Sequence, residues 1–347
     1  MAEDDLTRKD PDLRAEMEVG GQEPKEASRS RLRPIFFGAD GLRAGWSLLL
    51  FLLLLAAMII PGHRLISGHH TAAAGALAQT REQSVRSAAR GDGVMFLFVA
   101  LATAVMSRIE RRPLAAYGIG RTRGGARQFL AGLMWGLGFL SMLVLLLWAA
   151  HLLVFDGRLL AGGAMVRFGA EWAFAFLLVG LFEEYFLRGF VQFTLARGLS
   201  GIYGAVLGSE HRETLGFWTA AVLLSFVFGL GHRSNPGESS IGLLTAGAAA
   251  LVFALSLWRT GSLWWAIGFH AAWDWAQSFL YGVADSGLMM QHHMYASHPV
   301  GRPILSGGLT GPEGSVFVLL VLGLVAGVIW VTLGRVERPG RVVADRV

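Results

Sequence analysis

Ionisable residues stand inside three of the most apolar segments of this chain, where charged side chains are rare. They are Glu183, Glu184 and Arg188 in one segment, His232 after Phe228 in the next, and His270 with Asp274 in a third. A charged side chain near the centre of a bilayer costs about 2.5–3.5 kcal/mol. Such residues mark function by default, and carboxylates and imidazoles are the usual general acids and bases.

The spacing of these residues places them in pairs on helical faces. Glu184 and Arg188 are four residues apart with the acid first, which favours an ion pair, whereas Glu183 points about 100° away and is left for other chemistry. His270 and Asp274 have the same spacing, so one could orient the other or both could donate to a developing oxyanion. Taken singly, each pair is better explained as a structural ion pair or hydrogen bond. Taken together, ionisable groups on three apolar helices favour a functional site.

The composition indicates a bilayer as the solvent of this chain. Of its 347 residues, 53% are hydrophobic and 16% are charged, against about 25% charged in soluble proteins. The apolar runs are continuous and lack the alternation of a β-barrel. Eight segments have suitable length and hydrophobicity: 44–61, 92–107, 128–154, 170–196, 214–232, 241–258, 262–283 and 314–333. The predicted fold is an all-α integral membrane bundle of about eight transmembrane helices with a buried catalytic cavity.

Charge placement predicts the organisation around this bundle. Residues 1–34 form a predicted disordered cytoplasmic tail, 35–336 a polytopic membrane domain with its core at about 170–283, and 337–347 a basic cytoplasmic tail. Arginines cluster before the first segment, between Arg108 and Arg127, and after the last segment. This pattern predicts a multi-pass protein of the cell membrane with both termini cytoplasmic. Because the basic residues flank spans, we expect the lipid bilayer and no nucleic acid as a partner.

Three motifs follow one another on successive apolar segments: Glu-Glu-x-x-x-Arg at 183–188, Phe-x-x-x-His at 228–232 and His-x-x-x-Asp at 270–274. This order resembles the CPBP family of CAAX proteases and bacteriocin-processing proteins, also called Abi proteins. The family includes type II CAAX prenyl endopeptidases and lysostaphin-resistance-like proteins. The flanking sequences Arg233-Ser234-Asn235-Pro236 and 260–264 are also similar, and the resemblance covers about residues 90–335.

The resemblance implies an intramembrane endopeptidase whose substrate is a membrane-anchored, prenylated or leader peptide. It implies that Glu183 with His232 activates a water and that His270 and Asp274 stabilise the tetrahedral oxyanion. By the same resemblance, Glu184 and Arg188 support the site.

The residue types limit the cofactors. The chain has no cysteine, which excludes a cysteine nucleophile and a thiolate zinc site. Histidine and carboxylate side chains could bind zinc, but the chain has no His-Glu-x-x-His helix. We therefore favour water activation without a metal or another cofactor, and keep zinc as the alternative.

Two other functions fit the same residues. The first is a catalytically silent immunity or resistance scaffold of the same fold, and the second is a proton-coupled transporter, because buried carboxylates and histidines also form proton relays. Two further motifs are weaker indications of function. Gly-Leu-Ser-Gly at 198–201 is predicted to be a turn rather than a serine protease motif, and the His- and Met-rich stretch 289–294 is predicted to be an ordinary loop.

Overall fold

The computed structural model describes residues 33–38, 41–66, 82–120, 124–208 and 210–334. Contacts divide the chain into two units, Met1–Arg43 and Ala44–Val347. In the first unit, helix α1 (Arg33–Phe36) is followed by strands β1 (Phe37–Gly38) and β2 (Gly41–Leu42), which pair antiparallel. The predicted tails 1–34 and 337–347 lie outside the described residues, apart from residues 33 and 34.

Helices make up most of the second unit. They are α2 (Ala44–Ile66), α3 (Val85–Glu110), α4 (Gly125–Ala149), α5 (Gly162–Glu184), α6 (Gln192–Leu207), α7 (Arg212–Gly231), α8 (Ser240–Thr260), α9 (Trp264–Trp275), α10 (Pro303–Ser306) and α11 (Phe317–Thr332). Wider π-helical turns follow α5 (Tyr185–Val191) and α9 (Ala276–Leu280). Single 3-10 turns occur at Leu114–Tyr117, His232–Ser234, Gly308–Thr310 and Pro312–Gly314.

The described helices confirm an all-α integral membrane protein, but not the count of eight spans. Six are long and apolar enough to cross a bilayer: Ala44–Gly62, Val85–Glu110, Gly125–Ala149, Gly162–Leu207, Arg212–Ser234 and Ser240–Thr260. The predicted segment 262–283 forms only the 12-residue α9 and its π turn, and the segment 314–333 forms the 16-residue α11. Both are shorter than the ~20 residues that cross the hydrocarbon core.

Short strands join the connections between helices. β3 (Glu82–Gln83) pairs in parallel with β5 (Met289–Met290), and β4 (Leu153–Arg158) pairs antiparallel with β6 (Tyr295–Pro299). The stretch 289–294, predicted to be a loop, therefore begins with a two-residue strand. These pairs fix the connection that follows α9 to those that precede α3 and α5.

The short helix α9 lies at the centre of the bundle, between α4 and α5. Its Trp265 and Phe269 are at most 1% exposed. Glycine makes the close packing possible, because a Cβ at Gly136 of α4 would lie only 2.3 Å from the Phe269 carbonyl oxygen. On the other side, a Cβ at Gly180 of α5 would lie 3.2 Å from the Ile267 carbonyl oxygen. Burial by neighbouring helices explains how so short a helix is held within the membrane domain.

Helices α6 and α7 pack as a hairpin, which returns the chain to the level of the first π turn. Residues 198–201 lie inside α6, so the predicted turn there is wrong, and the Ser200 hydroxyl donates to the Ala196 carbonyl at 2.7 Å. The hairpin brings Phe228, near the end of α7, over the Arg188 guanidinium at 5.0 Å. The motifs of the fourth and fifth apolar segments therefore meet at one depth.

Candidate active site

A buried ion pair joins the first motif internally. Arg188 Nη1 lies 2.6 Å from Glu184 Oε1, and the two side chains are 1% and 0% exposed. The predicted pairing of these residues is confirmed. The guanidinium also lies over the rings of Phe228 and Phe253, at 5.0 and 5.3 Å from their centroids. Aromatic faces partly replace the water that this cation loses on burial.

The imidazole of His270 lies between three carboxylates. Its Nδ1 is 3.1 Å from Glu184 Oε1, the same oxygen that binds Arg188. Its Nε2 is 3.7 Å from Glu183 Oε2 and 3.5 Å from Asp274 Oδ2. His270 of the third motif therefore contacts both glutamates of the first motif. With Asp274, it has three carboxylate neighbours.

The two adjacent glutamates have different surroundings. The Glu184 side chain is fully buried between Arg188 and His270, whereas Glu183 is 25% exposed and lines the central cavity. The 100° between consecutive helical residues produces this difference. Glu183 is therefore the carboxylate that a substrate or a water could reach.

His232 approaches the same cavity from the end of α7. Its Nδ1 lies 2.8 Å from the Phe228 carbonyl oxygen and therefore donates to it, which leaves Nε2 as the basic nitrogen. The Phe228 ring packs against the imidazole at 4.7 Å. Within the described part of the chain, no hydrogen bond or ion pair joins His232 to Glu183, although both line the cavity. The contacts of Glu183 are with His270 instead.

Two of the three helices that carry the motifs, α5 and α9, are followed by a π turn next to a site residue. The first begins at Tyr185, directly after Glu184, and the second begins at Ala276, shortly after Asp274. A π turn inserts an extra residue into the helix and shifts the following side chains around the axis, and such turns are frequent at functional sites. Arg188 lies within the first π turn. Neither π turn was predicted from the sequence.

Four of the six predicted site residues line a cavity of about 520 Å³. One part of its wall is apolar and comes from α5, the π turn that follows it and α7, with Phe176, Val179, Phe182, Phe186 and Val227. The other part carries the site residues Glu183, His232, His270 and Asp274. Such a cavity can hold an apolar chain beside polar groups, as ligand sites commonly do.

Three carboxyl groups in this cavity were not predicted as site residues from the sequence. Asp92 of α3 opens the second predicted segment, so a charge inside an apolar segment was the available signal. Asp285 and Glu313 lie in connections between helices, where acidic residues are common and do not by themselves indicate a site. Only the folded connections bring these two to the cavity.

Among the described residues, one group of three side chains is spaced for a metal ion. Oxygens of Asp274, Asp285 and Glu313 lie within 4.8 Å of one another. An all-oxygen set suits a hard cation better than zinc. The histidines His232 and His270 do not belong to the group.

Residues 165–276 match the family model described as type II CAAX prenyl endopeptidase Rce1-like. Comparisons with curated proteins and with solved structures gave no match. The matched segment runs from α5 to the π turn after α9 and contains all three motifs. For the part of the chain that carries those motifs, the match confirms the CPBP family, at the level of an intramembrane CAAX-type protease.

Proposed function

We propose that this chain is an endopeptidase that hydrolyses a peptide bond of a membrane-anchored substrate, by water activated on Glu183. The observation that supports it most is the position of His270, whose ring joins Glu183, Glu184 and Asp274. A general base, a hydrogen-bond donor and the groups that support them are thereby within reach of a single bound peptide. A scaffold would need no such arrangement of charges beside an open cavity.

Glu183 is the proposed general base. It faces the cavity, whereas Glu184 is held by Arg188 and His270. A water between Glu183 and His232 would lose its proton to the carboxylate as its oxygen attacks the carbonyl carbon. The proton then passes to the amide nitrogen as the C–N bond breaks, which completes hydrolysis.

His270 is the proposed donor to the oxyanion. Because its Nδ1 faces Glu184, Nε2 can donate only when the ring carries both protons. The surrounding carboxylates balance the charge of such an imidazolium. Asp274, at 3.5 Å from Nε2, then orients the ring, and Glu184 and Arg188 hold it from the other side.

The apolar wall indicates the class of substrate. Side chains of α5, its π turn and α7, such as Phe182, Phe186 and Val227, suit a prenyl or other hydrocarbon chain attached to the peptide. We propose a lipidated protein or a leader peptide as the partner and no metal in the reaction. The site residues are Glu183, Glu184, Arg188, His232, His270 and Asp274.

The test is cleavage of lipidated peptides by purified full-length protein in nanodiscs. Glu183→Gln should lower the cleavage rate by about 10²–10⁴, the usual contribution of a general base. Glu171→Gln, on the same helix but in an exposed ion pair with Arg167, is the matched control and should retain activity. Biological activity that survives both Glu183→Gln and His232→Ala would favour the scaffold, and ion-gradient-dependent uptake into liposomes would favour the transporter.

A further inference from the structure

The ionisable wall of the cavity is strongly acidic. Its described residues include no lysine or arginine, and its basic side chains are the imidazoles of His232 and His270. The nearby Arg188 is already held by Glu184. Five carboxylic acids line the cavity: Asp92, Glu183, Asp274, Asp285 and Glu313.

Three of these acids converge at one place beside His270. Oxygens of Asp274, Asp285 and Glu313 lie within 4.8 Å of one another. Asp274 is 6% exposed and, among the described residues, has one charged contact, with His270 Nε2 at 3.5 Å. Its carboxylate lines the cavity and can still accept a hydrogen bond from a group that enters there.

The other two carboxylates are held only by neutral groups. Ser278 Oγ donates to Asp285 Oδ2 at 3.1 Å. Glu313 Oε1 accepts the Trp273 indole N–H at 2.9 Å, and Oε2 accepts the Ser286 hydroxyl at 2.9 Å. These bonds fix the positions of the carboxylates, but their donors carry no positive charge.

The closeness of these three carboxyl groups changes the pKa of Asp285. Burial, with the neighbouring Asp274 and Glu313, raises the pKa of Asp285 well above its usual range. Like charges at this separation are relieved by bound protons or by a cation. A cationic group entering the cavity would therefore replace protons that the cluster otherwise holds.

Asp285 and Glu313 also lie outside the matched segment 165–276, so the family match assigns them nothing. They are nevertheless tied to its motifs. Asn235, three residues after His232, donates through Nδ2 to the Ser286 carbonyl at 2.9 Å. Thr245 of α8 donates to the Glu313 carbonyl at 2.7 Å. The cluster therefore has a fixed position relative to the proposed catalytic groups.

We propose that Asp285 and Glu313, together with Asp274, form a subsite for a lysine or arginine side chain of the substrate peptide, close to the bond that is cleaved. This inference rests on the proposed endopeptidase function and adds the class of residue that the site selects. The same charges would repel a free C-terminal carboxylate at this end of the cavity. The subsite thus favours an internal peptide bond next to a basic residue.

The test measures binding and cleavage separately, with full-length protein in nanodiscs. The probes are lipidated peptides in which lysine, norleucine, acetyl-lysine or glutamate is placed at each position in turn. Binding is measured in the Glu183→Gln background. At one position the lysine peptide should bind about tenfold tighter than the norleucine peptide, as expected for a charge pair shielded from water. Acetyl-lysine, which keeps the length without the charge, should lose this advantage.

Substitutions then identify the residues that produce the preference for the lysine peptide. Asp285→Asn should remove most of the lysine preference, whereas Ser278→Ala, which removes only the neutral hydrogen bond, should keep it. Equal binding of the lysine and norleucine peptides at every position would overturn the proposal, as would a preference that survives Asp285→Asn combined with Glu313→Gln. If those variants do not fold, the acetyl-lysine comparison on unaltered Asp285 and Glu313 still decides.

Three outcomes separate this proposal from others. Cleavage by the unaltered protein without a charge preference contradicts the subsite and leaves the endopeptidase standing. A charge preference in binding without any cleavage supports the subsite and contradicts the endopeptidase. Loss of the preference in millimolar Mg²⁺ at constant ionic strength would assign the cluster to a metal ion and would also overturn the proposal.

Discussion

His270 Nδ1 lies 3.1 Å from Glu184 Oε1, the oxygen that also accepts Arg188 at 2.6 Å. One carboxylate oxygen therefore connects a helix end to the central helix α9. This relationship makes Glu184 a support of the site and leaves Glu183 as the carboxylate that faces the cavity. Its consequences can be measured on the stability as well as on the activity of the protein.

Arg188→Met should destabilise the protein by about 3–5 kcal/mol, because it leaves a buried carboxylate without its cation. Combining it with Glu184→Gln should recover part of this loss. Unfolding in mixed micelles, followed by circular dichroism, provides the measurement. Arg167→Met is the control and should cost less than about 1 kcal/mol, since its ion pair with Glu171 is exposed. Equal losses at the two arginines would contradict the buried pair.

Gly136→Ala should displace α9 and lower both stability and cleavage rate. The new Cβ would lie 2.3 Å from the Phe269 carbonyl oxygen, one residue before His270. Overpacking of this kind costs about 1–3 kcal/mol. Gly138→Ala, on the same helix with no atom within 4 Å of its Cβ, is the matched control. Melting temperature and cleavage rate should fall together only in the first variant; an unaffected Gly136→Ala protein would refute the packing argument.

Asp285→Asn should stabilise the protein at high pH and change little at low pH. The raised pKa of Asp285 means that the folded state holds a proton which the unfolded chain releases above about pH 4. The stability that this proton provides is fully present below that pH and is lost as the pH rises toward the folded pKa. We expect a gain in Tm of about 2–4 °C at pH 8. The control is Glu213→Gln, at an exposed carboxylate in the first turn of α7, and equal gains at pH 4 and pH 8 would disprove the explanation.

Metal chelation should leave the cleavage rate unchanged, because the proposed reaction uses Glu183, His232 and His270 without a metal. The experiment compares cleavage before and after incubation with 1,10-phenanthroline, with a zinc protease in the same nanodiscs as the control. Loss of cleavage that returns on addition of zinc would replace the glutamate-based mechanism with a metal-dependent one.

The sequence by itself determined that the chain is an all-α membrane protein, and which family its central segment represents. Both conclusions depend on local information: the length of apolar runs, and residues spaced four apart, as in Glu184 and Arg188 or His270 and Asp274. A helix fixes the relative direction of such neighbours whatever surrounds it. The ion pair at 184 and 188 could therefore be predicted.

The tertiary structure decided which of these groups meet. Glu183 contacts His270 rather than His232, because the packing of α9 between α4 and α5 places His270 beside the end of α5. Asp285 and Glu313 reach the cavity through connections whose course has no periodic pattern in the sequence. The span count also depended on packing, since α9 is stabilised by neighbouring helices that bury it rather than by a length sufficient to cross a bilayer.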